Sequence, residues 1–186
     1  MLLNRSATKV RAVICGHTLR QPSAQPRRSL DGVTPQDLAH LRRCIELARQ
    51  ARARGDEPFG SVLVSGDGAV LAERDNREHT EGDVTAHPEI LLAAWAAKHL
   101  TPEQRAAATI YTSGESCAMC AAAQYWAGVG RLVFVMSGEH ITAARGEGAR
   151  GLALSSREVF ARGIGRDIVV EGPVDELLAE AQALFA

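Results

Sequence analysis

The chain has 186 residues, 46% of them apolar and 23% charged, the composition of an ordinary soluble globular protein of one domain, with no room for a second catalytic domain. No apolar run approaches the roughly 18 residues of a membrane span. The net charge of −1 hides an imbalance: residues 1–34 hold six basic residues against Asp31 alone, which leaves −6 on the remainder, a poor match to a polyphosphate backbone outside a local basic patch.

The segment 1–34 is arginine-rich and acid-poor, a composition shared by organellar transit peptides and by disordered extensions, so the folded domain is expected over 35–186. Thr34 followed by Pro35 offers an N-cap with proline at the first helical position, and Leu38, Leu41, Ile45 and Ala48 then keep helical spacing up to Gly55. The runs 61–64 and 69–74, separated by Ser65, Gly66, Asp67 and Gly68, predict a β-hairpin. Residues 75–86 are polar and irregular, and 87–99 predict a helix that tolerates Pro88 in its first turn. A strand at 109–111 leads through Gly114 to a helix over 117–126, stopped by Gly128 and Gly130, and 131–136 is the next strand. The small-residue stretch 137–153 reads as a loop, followed by helix 155–161, strand 167–171 and helix 174–185. Helices alternating with strands after an initial hairpin predict an α/β fold, with helices on both faces of a mixed sheet.

The chemistry concentrates in two places. Cys117 and Cys120 stand at i and i+3 in the first turn of a helix, so both can face one ion, and the partial positive charge of the helix start favours their thiolates. Four cysteines, two of them far away at 15 and 44, do not make a disulfide framework, so a reducing, cytoplasmic setting is expected. His87, at the start of the preceding helix, can supply a neutral third donor, and three protein ligands leave a fourth position for water. Glu89, two residues on, is spaced as a proton shuttle rather than as a further ligand. A structural zinc clasp is the competing reading. It needs a fourth ligand from His79, His99 or His140, and it leaves Glu89 without a role.

The strings TAHPEI at 85–90 and TSGESCAMC at 112–120 resemble the HxE and PCxxC motifs of the cytidine-deaminase-like superfamily. PFGSVLV at 58–64 is similar to the PFGAVLV of its guanine-deaminase and tRNA-adenosine-deaminase branch, and the likeness spans 37–171. The resemblance implies a three-layer α/β/α sandwich on a five-stranded mixed sheet and a Zn²⁺ ion on His87, Cys117 and Cys120. It implies Glu89 as general acid and base, and a homodimer or higher homo-oligomer. Asn76 falls where that branch has a base-contacting asparagine, and Phe59, Glu115 and Ser116 are candidates to line the substrate pocket. Ser116, Gly114 and Pro88 depart from the family pattern without removing a ligand. The expected reaction is hydrolytic deamination of a free guanine-like or cytosine-like base or an aminated triazine. A tRNA adenosine deaminase is the alternative enzyme, and a non-catalytic zinc-structured protein the alternative of another class.

Overall fold

The computed structural model describes residues 32–186, so the expected extension 1–34 lies outside the described residues except for its last three. Five strands form one sheet in the order β2-β1-β3-β4-β5: β1 Gly60–Val64, β2 Val70–Asp75, β3 Thr109–Gly114, β4 Arg131–Met136 and β5 Val169–Glu171. β1 is antiparallel to β2 and β3, whereas β4 runs parallel to β3 and β5. This is the expected five-stranded mixed sheet.

Alternation along the strands divides the apolar residues between two cores. Val62, Val64, Tyr111, Val133 and Val135 face helix α1 (Pro35–Arg54) and helix α8 (Asp175–Gln182). Leu63, Ile110, Leu132 and Phe134 face α3 (Pro88–His99), α5 (Ala118–Ala127) and α7 (Ser156–Ala161). Burial on both faces explains why β1 and β3 are enclosed along their whole length. No helix among the described residues is long and apolar enough to cross a membrane.

The polar stretch 75–86 contains the short helix α2, Glu78–Glu81, and α4, Pro102–Ala107, follows a Thr101 capping box. The stretch 137–153, expected as loop, begins with helix α6, Gly138–Arg145. Small residues hid a start signal there: Ser137 accepts from the His140 N–H, and His140 closes a capping box in place of the usual Glu or Gln. The last strand starts at Val169, two residues later than expected, and α8 gives way to a 3₁₀ turn over Ala183–Phe185.

Gly60 is required where α1 crosses β1, because a Cβ there would lie 2.4 Å from the Cys44 carbonyl oxygen and 2.5 Å from Leu47 Cβ. The start of α1 is pinned by Asp37, whose two oxygens do separate work. Oδ2 accepts from the Thr34 N–H at 2.7 Å and closes the capping box, while Oδ1 accepts from Tyr111 and from Arg131 Nη1. Arg131 also pairs with Glu171 on β5. Burial alone would raise the Asp37 pKa, but the hydrogen bonds from Arg131, Thr34 and Tyr111 outweigh it and hold the carboxyl well below the usual carboxylate range.

A folded pKa below the unfolded value means stability that is complete above about pH 4 and drains away as pH falls toward the folded value. Asp37→Asn is therefore expected to cost about 3 kcal/mol at neutral pH, because it leaves Arg131 short of a partner. It should also flatten the fall in stability below about pH 4. Urea unfolding of both proteins across pH 2–7 measures this; parallel pH profiles would show that Asp37 does not carry the acid dependence.

Candidate metal centre and catalytic cleft

The C-terminal ends of β2, β3 and β4 share one edge of the sheet, as the pairings Gly60 with Asp75, Ser61 with Thr112 and Gly114 with Met136 require. α3 and α5 both begin there, and His87 and Cys117 are their N-cap residues. The donor atoms of His87, Cys117 and Cys120 lie within 4.8 Å of one another. His87 Nδ1 is 3.6 Å from Cys120 Sγ and 3.8 Å from Cys117 Sγ. Zinc–nitrogen and zinc–sulfur bonds in a tetrahedron imply nitrogen–sulfur edges of about 3.6 Å, so the donor set fits that ion.

Electrostatics agree with the geometry. The hydrogen bond from Cys120, against burial and aided by His87, draws the Cys117 thiol down to about 4. The same bond pushes Cys120 up, with burial and Glu89 adding to it. His87 is raised to about 9, chiefly by its bond with Cys117. Two adjacent thiolates are thus unfavourable without a cation between them, and loading a divalent ion releases protons from the cluster.

Glu89 is buried beside this cluster, at 4% exposure. One oxygen accepts from Thr112 Oγ1 at 3.1 Å, Thr112 accepts from Ser61 Oγ at 2.9 Å, and the other oxygen faces Cys120 Sγ at 3.7 Å. Burial raises its pKa to about 7, against the opposing pull of His87. His79 bonds the Gly55 carbonyl, His99 stacks on Trp95, and His140 caps α6. Among the described residues, none of these three joins the cluster as a fourth ligand.

Sequence reasoning missed Glu78. Its Oε1 lies 3.0 Å from His87 Nε2 and accepts from Asn76 Nδ2 at 2.8 Å, so with Nδ1 turned to the sulfurs the Nε2–H points at a carboxylate. Asn76 is fully buried, with its Oδ1 accepting from the Glu78 N–H, so its amide serves Glu78 rather than the cleft wall. Glu78 sits in the irregular polar stretch, where no spacing rule marks a residue that acts through the fold. Thr112, alternating inward on a strand, was equally silent.

The cluster opens into a cleft of about 2140 Å³ whose walls include Phe59, Glu89, Ser116 and Cys117. Phe59 lies against Gly114, where a Cβ would meet its ring at 2.8 Å and Ile141 at 3.0 Å. A side chain at this position would require the Phe59 ring or Ile141 to shift. Ser116 is buried, and its hydroxyl accepts from Gln124 Nε2 at 2.8 Å. Glu115 reaches the cleft, but both its oxygens are engaged: Oε2 by the Gly138 N–H and Oε1 by the N–H and hydroxyl of Ser156.

The family model for the cytidine and deoxycytidylate deaminase zinc-binding region matches residues 34–136. The "Probable cytosine deaminase" of Schizosaccharomyces pombe is 35% identical over 147 residues, which covers 77% of this chain and 88% of that protein. The guanine deaminase of Bacillus subtilis is 42% identical over 87 residues, 47% of this chain and 57% of its own length. A solved structure from studies of A-to-I editing at the wobble position of transfer RNA superposes with a TM-score of 0.61 at 28% identity. It covers 79% of this chain and 99% of its own.

Glu78→Ala removes the carboxylate behind His87 and should weaken zinc binding about 10–100-fold with the fold intact. Competition with a chromophoric chelator reads this directly; unchanged affinity would remove Glu78 from the metal site.

Proposed function

The chain belongs to the cytidine and deoxycytidylate deaminase zinc-binding family, and from that premise we propose that it hydrolytically deaminates a free nucleobase or related aminated heterocycle and releases ammonia. The observation that carries the reading is the buried carboxylate of Glu89, set against three converging donors yet held by Thr112 outside the donor set. His87, Cys117 and Cys120 would hold the zinc ion, which when bound would supply the Lewis acidity that makes water nucleophilic near neutral pH. Glu89 accepts a proton from the attacking water and delivers it to the ring nitrogen beside the amino-bearing carbon. Glu89 then takes the remaining proton from the hydroxyl now on that carbon and passes it to the amino group; the carbon–nitrogen bond breaks, ammonia leaves and the carbonyl of the oxo-base forms.

Phe59 and Ser116 offer the base one aromatic and one polar wall. Asn76 and Glu115 act a step further out, Asn76 through Glu78 and Glu115 through the chain above the cleft. A guanine-like or cytosine-like base is favoured by relatives named for those two activities, and an aminated triazine presents the same amidine carbon. Relatives named tRNA-specific adenosine deaminases make that the second reading, against which stands the net charge of −6 beyond residue 34. The family reading also favours a homodimer or higher homo-oligomer, and the cysteine pattern a reducing, cytoplasmic setting.

Zinc-loaded protein is expected to release ammonia from at least one of guanine, cytosine or an aminotriazine, and not from tRNA. Metal retention without ammonia from any free base, nucleoside or tRNA would reduce the protein to a zinc-structured binder. Glu89→Gln should keep its zinc and lose turnover by at least about 10³-fold; wild-type rates in that variant would take Glu89 out of the chemistry.

A further inference from the structure

We propose that Glu115 is a positioning residue that sets which substrates fit, because its one carboxylate ties together both ends of the segment roofing the cleft. The inference rests on the reading of the cleft as a deaminase site. Gly138 opens α6 and Ser156 opens α7, and the chain between them supplies much of the cleft wall, from His140 to Leu154. Glu115 holds Gly138 N at 3.0 Å, Ser156 N at 2.9 Å and Ser156 Oγ at 2.7 Å. Two points that are 18 residues apart along the chain therefore meet at a side chain only two residues from Cys117. That is the neck of a closed loop, and charge-assisted bonds of this kind are among the stronger ones available to a surface segment.

Other contacts hold only parts of the roof. Ile141 and Ala144 pack α6 on the core beside α1, and Arg145 pairs with Glu57 and lies over the Phe59 ring at 5.5 Å. Phe160 fixes α7 to the opposite core. Between them, Gly146 and Gly148 have φ of 69° and 89°, and a Cβ built at Gly146, Gly148 or Gly151 would touch nothing within 4 Å. The span 146–151 thus lacks close packing at its glycines, and its place in the cleft wall depends on where its ends are fastened. The cleft exceeds the roughly 300–1,000 Å³ of an ordinary small-molecule pocket, so the roof decides how closely a single ring is enclosed. Ser137 and Ser155 cap their own helices through the N–H groups of His140 and Glu158, so Glu115 takes donors that those caps do not use.

The test compares zinc-loaded wild-type protein with Glu115→Ala and with Ser156→Pro. The proline deletes both Ser156 donors at a first helical position that suits proline, and leaves the residues beside the metal ligands unchanged. Amide hydrogen exchange over 139–155 is expected to speed up about tenfold or more in either variant, with α5 and the sheet unchanged. The KM for a free base should rise about tenfold while kcat changes less than about threefold, and the KM for the matching nucleoside should stay level or fall. Glu115→Gln, which keeps one acceptor, should recover part of both effects. Unchanged exchange over 139–155 overturns the proposal, as does an equal rise in KM for base and nucleoside. If wild-type protein turns over no member of the panel, the functional reading fails separately, and the exchange comparison still decides whether Glu115 fastens the roof.

Discussion

Two thiols and an imidazole meet at one point only if the elements bearing them start at one point. Everything at the cleft depends on α3 and α5 beginning over the same edge of the sheet, which follows from the strand order. β2, β3 and β4 run the same way, so the chain leaves β2 and β3 on one side. His87 and Cys117 then arrive as the first residues of their helices, 30 positions apart in sequence and within bonding distance of a shared ion. The close approach of α1 to Gly60 serves the same end, since β1 begins there and sets Ser61 opposite Thr112.

The far edge of the sheet is organised by a different principle. There Asp37 gathers Thr34, Tyr111 and Arg131, and Arg131 carries the connection to Glu171. Every member of that network has an opposite charge or a donor to satisfy it, so it stabilises the fold. At the cleft edge the balance is reversed. Cys117, Cys120 and Glu89 stand close enough to perturb one another, and the cluster as a whole calls for a cation.

Much of this was legible in the chain. Apolar runs mark β1 and β4, the Thr34–Pro35 start and the Gly55 stop bound α1, and the donor triad with Glu89 follows from residue types and spacing together with the family resemblance. The remainder depended on contacts between distant segments. α6 was hidden by small residues and an unusual capping partner. Glu78 carries no pattern, because its role comes from the direction of His87 Nε2. Asn76 and Glu115 stand beside the right motifs, yet Asn76 turns to Glu78 and Glu115 to Gly138 and Ser156. A motif fixes which residue is present, not which neighbour its side chain will find.

The starts of α1, α4, α6 and α7 are each closed by a capping box. α3 and α5 are not: neither His87 nor Cys117 makes a side-chain capping hydrogen bond. A serine or aspartate at either position would restore the ordinary cap and add about 1 kcal/mol of helix stability. In the metal-free chain, stability alone would therefore favour replacing two of the three donors, and the better-folded chain would keep only Cys120 with which to hold the ion.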